Sequence, residues 1–80
     1  MTYEQFIEQT RNFIATRAKV QPQAIQVDTH LIDSGYVDSL LLTELIVFVE
    51  DLLGCNIDVE DFRISKFETI AAIHQNYGSR

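Results

Sequence analysis

The fifteen residues from Ser39 to Leu53 constrain the fold more than any other stretch of this chain. At the helical rotation of about 100° per residue, Leu41, Leu42, Leu45, Ile46, Phe48, Val49, Leu52 and Leu53 share one wide apolar arc. Ser39, Thr43, Glu44, Glu50 and Asp51 fill the remaining arc of about 140°. A segment patterned this way is predicted to be an α-helix whose apolar side is covered by other elements. Asp38 is placed to cap it, because a carboxylate there accepts from free N–H groups and complements the helix dipole. Gly54 supplies the stop. Leu40 and Val47 break the pattern, since both land in the middle of the acidic arc. A single exposed apolar residue means little. Two of them a heptad apart, ringed by Glu44, Glu50 and Asp51, read as a small contact strip with a charged rim.

The flanking sequence repeats the helical period. Over Tyr3–Ala18, the residues Tyr3, Phe6, Ile7, Thr10, Phe13, Ile14 and Ala18 fall in an arc of about 140°. Thr2 can cap this helix, with Gln5 reaching back from the third helical position at capping-box spacing. Pro22 ends any helical pattern, and residues 20–37 form a long connection that Ile25, Val27, Leu31 and Ile32 should pin to the core. Gly35 allows a sharp bend within it. A short helix capped by Asp58 is expected over 58–63. A last helix is expected from Ser65, with Glu68 completing a second capping box and Phe67, Ile70, Ala71, Ile73 and Tyr77 on one face. With no strand pattern, the expected fold is all-α: a small four-helix bundle of three main helices and one short one, with residues 1–80 as one domain.

Composition narrows the function. Twelve acids against six Lys and Arg give a net charge of −6, which argues against nucleic acid and anionic membrane surfaces and for partners with basic patches. The charge is uneven: residues 28–61 hold nine acids and no Lys or Arg. Solvation of an acidic surface is one reading of this block and a docking face is the other. No apolar run is long enough to span a membrane and no signal-peptide layout is present, so a cytoplasmic protein is expected. Cys55 cannot form an intrachain disulfide and reads as a small filler or idle thiol. His30 and His74 have no ligand-type residue at a metal spacing in sequence, and His74 falls in the apolar arc of the last helix. With no glycine-rich phosphate loop either, neither a metal site nor a catalytic constellation is expected.

Ser39 stands apart because of its position. It follows the capping Asp38 and opens the acidic helix, so its hydroxyl should be exposed where free N–H groups and the dipole favour a phosphate. The letters Asp-Ser-Leu alone start many helices without further meaning.

The wider run Leu31-Ile32-Asp33-Ser34-Gly35-Tyr36-Val37-Asp38-Ser39-Leu40, continued by Thr43-Glu44-Leu45-Ile46 and Glu50-Asp51, resembles the acyl carrier protein family. The stretch Phe67-Glu68-Thr69-Ile70-Ala71-Ala72-Ile73 is similar to that family's final helix, so the likeness covers nearly the whole chain. The resemblance implies a carrier whose Ser39 bears covalent 4′-phosphopantetheine, donated by coenzyme A through a Mg²⁺-dependent phosphopantetheinyl transferase. Asp38, Leu40, Glu44, Val47, Glu50 and Asp51 match positions with which family members meet their partners. Those partners would be an acyl- or aminoacyl-loading ligase and downstream synthases or transferases with basic docking patches. The carrier would be a monomer that catalyses nothing itself. Ser34, the other serine after an aspartate, would be a decoy. Two residues separate Gly35 from Asp38, where fatty-acid-synthesis carriers commonly have one, and Leu41 and Leu42 stand where those carriers often place polar residues. The longer spacing resembles D-alanyl carriers and free-standing carriers of specialised pathways. Acyl carriage is the leading expectation, aminoacyl carriage its rival, and an unmodified acidic interaction module the third reading.

Overall fold

In a computed structural model, residues 2–58 and 63–78 are described. Three helices, α1 (Tyr3–Ala18), α2 (Ser39–Leu53) and α3 (Ile70–Ile73), are joined by 3₁₀ turns at Pro22–Ala24 and Ile64–Phe67. No strand occurs among the described residues. No helix among them is long and apolar enough to cross a membrane. The short helix expected over 58–63 falls at 59–62 outside the described residues.

α1 begins with the expected reciprocal cap. The Gln5 N–H donates to Thr2 Oγ1 at 3.1 Å and the Thr2 N–H to Gln5 Oε1 at 3.0 Å, which satisfies two donors the helix leaves open. The helix buries Phe6, Thr10, Ile14 and Ala15. It ends at Lys19, whose φ of 60° is left-handed, a conformation that costs a side-chain-bearing residue energy that glycine does not spend. α2 buries Leu41, Leu45 and Val49. Leu42, Ile46, Phe48, Leu52 and Leu53 are partly buried against the same core. Phe13 of α1 stacks on Phe48 of α2, centroids 4.2 Å apart and 17° from parallel.

The long connection is part of the core. Ile25, Leu31 and Val37 are all buried. Its backbone is also tied on both sides: Arg11 Nε donates to the Ile25 carbonyl at 2.7 Å, Leu31 N–H to the Glu68 carbonyl at 2.8 Å, and Ala71 N–H to the Val27 carbonyl at 3.1 Å. Val27 and Ile32, expected with the buried set, are half-buried.

The last helix departs from its expected start. Residues Ile64–Phe67 form a 3₁₀ turn, and Thr69 rather than Ser65 caps the helix, its Oγ1 accepting from the Ala72 N–H at 3.0 Å. Thr69 is extended (φ −139°, ψ 163°), which breaks the path between turn and helix. The cause lies outside the segment: the Ala71 N–H, which a helix continuing from Ser65 would give to the Phe67 carbonyl, goes to the Val27 carbonyl, and Leu31 N–H ties the Glu68 carbonyl to the same connection. After one α turn the chain widens into a π-helical turn, His74–Gly78, which buries Tyr77. Phe67, Ile70 and Ile73 close the core from this side.

Candidate functional site

The start of α2 is built from behind. Val37 is 1% exposed, its N–H bonded to the Leu31 carbonyl at 2.9 Å, and Leu41 is 7% exposed. Between these anchors Asp38, Ser39 and Leu40 are lifted to the surface. Asp38 is extended and Oδ1 accepts from the Leu41 N–H at 2.8 Å, while its carbonyl takes the first helical bond from Leu42. Ser39 is the first helical residue. Its N–H and that of Leu40 belong to the first turn and have no intrahelical partner. No hydrogen bond to the Ser39 hydroxyl occurs among the described residues.

Ser34 contrasts with it. Its hydroxyl donates to the Leu31 carbonyl at 3.3 Å and accepts from the Tyr36 N–H at 3.5 Å. Gly35, at φ 87°, makes this turn possible. Ser34 thus shapes the bend, and Ser39 projects from the helix that follows.

A groove of about 530 Å³ runs beside Ser39, lined by both of its neighbours, Asp38 and Leu40, and by Tyr36, Val20, Arg17 and Glu44. The free first-turn N–H groups, the positive end of the helix dipole and an exposed hydroxyl fit a phosphodiester at Ser39.

The expected partner residues take different environments. Leu40 is 71% exposed and Val47 52%, and Asp51 is exposed. Glu44 is exposed but not free, since its Oε2 lies 3.4 Å from Arg17 Nε. Glu50, expected on the open arc, is half-buried and its Oε2 accepts from the Ile57 N–H at 2.8 Å. The reason is the helix stop: Gly54, left-handed at φ 65°, turns the chain so that the Gly54 and Cys55 N–H groups reach the Glu50 carbonyl and Ile57 comes within reach of its carboxylate. The rim around Leu40 and Val47 is therefore Glu44 and Asp51, joined by Arg17 from α1. The linear charge distribution assigns Arg17 to a basic end of the chain; only packing carries it to the acidic helix.

Elsewhere, His74 lies edge-on to Tyr3 at 4.5 Å and 5.3 Å from the Phe6 ring, as a packing residue. Cys55 is a half-buried free thiol. His30 Nδ1 lies 3.7 Å from Asp33 Oδ2, three residues on, and 4.0 Å from Glu68 Oε1, which only the fold brings near; all three groups are exposed. They bridge the connection to the start of α3, alongside the Leu31–Glu68 backbone bond. Ile64 is a further exposed apolar residue, at 57%, that the sequence pattern does not single out.

Compared with known protein families, residues 8–75 match the family described as a phosphopantetheine attachment site.

Proposed function

The chain belongs to the phosphopantetheine attachment-site family, whose domains are carriers bearing covalent 4′-phosphopantetheine, and from that premise we propose that Ser39 is the attachment residue of a free-standing acyl carrier protein. The single observation that carries this is the exposed hydroxyl at the first position of α2, beside Asp38 and a groove. The bound group supplies a long arm ending in a thiol that holds cargo as a thioester.

The chain's own part is to hold and present. Asp38 fixes the first turn through the Leu41 N–H, so the serine is offered from a rigid element. The open N–H groups of Ser39 and Leu40, with the helix dipole, favour a negatively charged group at the start of α2. Leu40, Val47, Glu44 and Asp51 form the surface that meets the transferase, the loading ligase and later enzymes. Charge on such a surface speeds encounter, and its small apolar centre keeps contacts brief. Tethering converts each later encounter of cargo with enzyme into a local event at high effective concentration.

We assign acyl cargo in a fatty-acid, polyketide or specialised biosynthetic route, with D-alanyl or other aminoacyl carriage as the second reading. The extra residue between Gly35 and Asp38, by its resemblance to D-alanyl carriers and to free-standing carriers of specialised pathways, speaks against housekeeping fatty-acid synthesis and leaves both readings open. A loading assay separates the two. The phosphopantetheine-bearing protein is offered to an acyl-adenylating ligase with alkanoic acids and to an aminoacyl-adenylating ligase with D-alanine. Acyl carriage predicts a hydroxylamine-labile adduct with the first, absent in Ser39→Ala. An adduct with D-alanine alone would replace acyl by aminoacyl carriage.

A further inference from the structure

Arg17 brings a positive charge onto a surface otherwise suited to basic partners. No Lys or Arg occurs between residues 28 and 61, so this cation reaches the acidic helix only because α1 packs beside α2. It is held from two directions. The guanidinium carbon stands 4.2 Å from the centroid of the Phe13 ring, and Nε lies 3.4 Å from Glu44 Oε2. The ring is itself fixed by its stack on Phe48. The side chain therefore spans the α1–α2 groove. On one side lies the hollow beside Ser39; on the other lies a second groove of about 380 Å³, lined by Phe13, Phe48, Val47, Thr43 and Asp51.

We propose that Arg17 is a selectivity residue of the docking surface, withholding Glu44 from basic partners. This rests on the carrier reading above. The occupant it implies is an enzyme surface with an aliphatic side chain beside a Lys or Arg. The aliphatic group would enter the groove at Val47 and Phe48, and the cation would lie toward Glu44 and Asp51. Such a cation meets a carboxylate already engaged and a like charge beside it. A partner with one weak basic contact is turned away, and one with a well-placed cation displaces Arg17 from Glu44. The side chains of Arg17 and Glu44 are 42% and 46% exposed, so their pairing adds little to stability. Its removal should change docking and leave the fold alone.

The test is the steady-state kinetics of phosphopantetheinyl transfer to the wild-type chain, R17Q, E44Q and the double variant, at low ionic strength, with far-UV circular dichroism as the fold control. R17Q should lower KM for the chain by about two- to fivefold with kcat unchanged. E44Q should raise KM, and the gain from R17Q should shrink in the E44Q background because the two residues act as a pair. An unchanged or raised KM for R17Q would overturn the proposal, since Arg17 would then be neutral or a positive contact in its own right. Failure of the wild-type chain to gain phosphopantetheine would instead remove the carrier reading, and this inference with it.

Discussion

Two serines follow an aspartate in this chain, and their hydrogen bonds separate them. Ser34 bonds across its own turn, to the Leu31 carbonyl and the Tyr36 N–H, whereas Ser39 stands exposed at the first position of α2. Asp38→Ala removes the acceptor of the Leu41 N–H and should cost about 1 kcal/mol in denaturant unfolding, as loss of an N-cap does. A change near zero would mean that the cap contributes nothing here. Lys19 offers the opposite sign. Its left-handed backbone is one that glycine adopts without a Cβ clash, so Lys19→Gly should raise stability by about 0.5–1 kcal/mol in the same measurement. Glu50 shows why a helical projection misplaces some residues. The projection sorts side chains about the axis of α2 but is blind to the chain that returns past Gly54 with the Ile57 N–H. Arg17 escapes notice for the same reason, because nothing in sequence links it to Glu44.

At the scale of elements, α1 and α2 are legible to the residue. Thr2 with Gln5, Asp38 and Gly54 are local signals whose partners lie within a few positions, and each does in the fold what its spacing implies. The last helix is not legible in this way. Ser65 and Glu68 have capping-box spacing, yet the Ala71 N–H that a helix from Ser65 would need is given to Val27, far away in sequence. The long-range bond outweighs the local pattern, and Thr69 takes the capping role. The connection was readable as pinned, though not what it is pinned to. Leu31 is fully buried and its N–H and carbonyl both make backbone bonds. Leu31→Ala should therefore cost about 2–5 kcal/mol, within the range for large-to-small changes in a core. A loss below about 1 kcal/mol would show that the connection is a surface strap. On α2, Val47→Glu should weaken transferase binding with far-UV circular dichroism unchanged. Loss of helical signal would place Val47 in the core instead.

At the scale of the molecule, the charge distribution and the packing converge on α2. The acidic block of the sequence includes Glu44 and Asp51, and these flank the exposed apolar pair Leu40 and Val47. Docking through such a face is screened by salt, because exposed charges beyond a Debye length of about 8 Å at physiological ionic strength interact weakly. Transferase KM should rise as salt is raised from about 50 mM towards 0.5 M, and indifference to salt would contradict an electrostatic docking face. Below the docking lies the claim on which all else depends, that Ser39 carries the arm. Intact-mass measurement after incubation with coenzyme A, Mg²⁺ and a promiscuous phosphopantetheinyl transferase tests it directly, on the wild-type chain, Ser39→Ala and Ser34→Ala. The account predicts a gain of one phosphopantetheine on wild type and Ser34→Ala and none on Ser39→Ala. A folded wild-type chain that gains nothing, or a Ser39→Ala chain that is still modified, would contradict it.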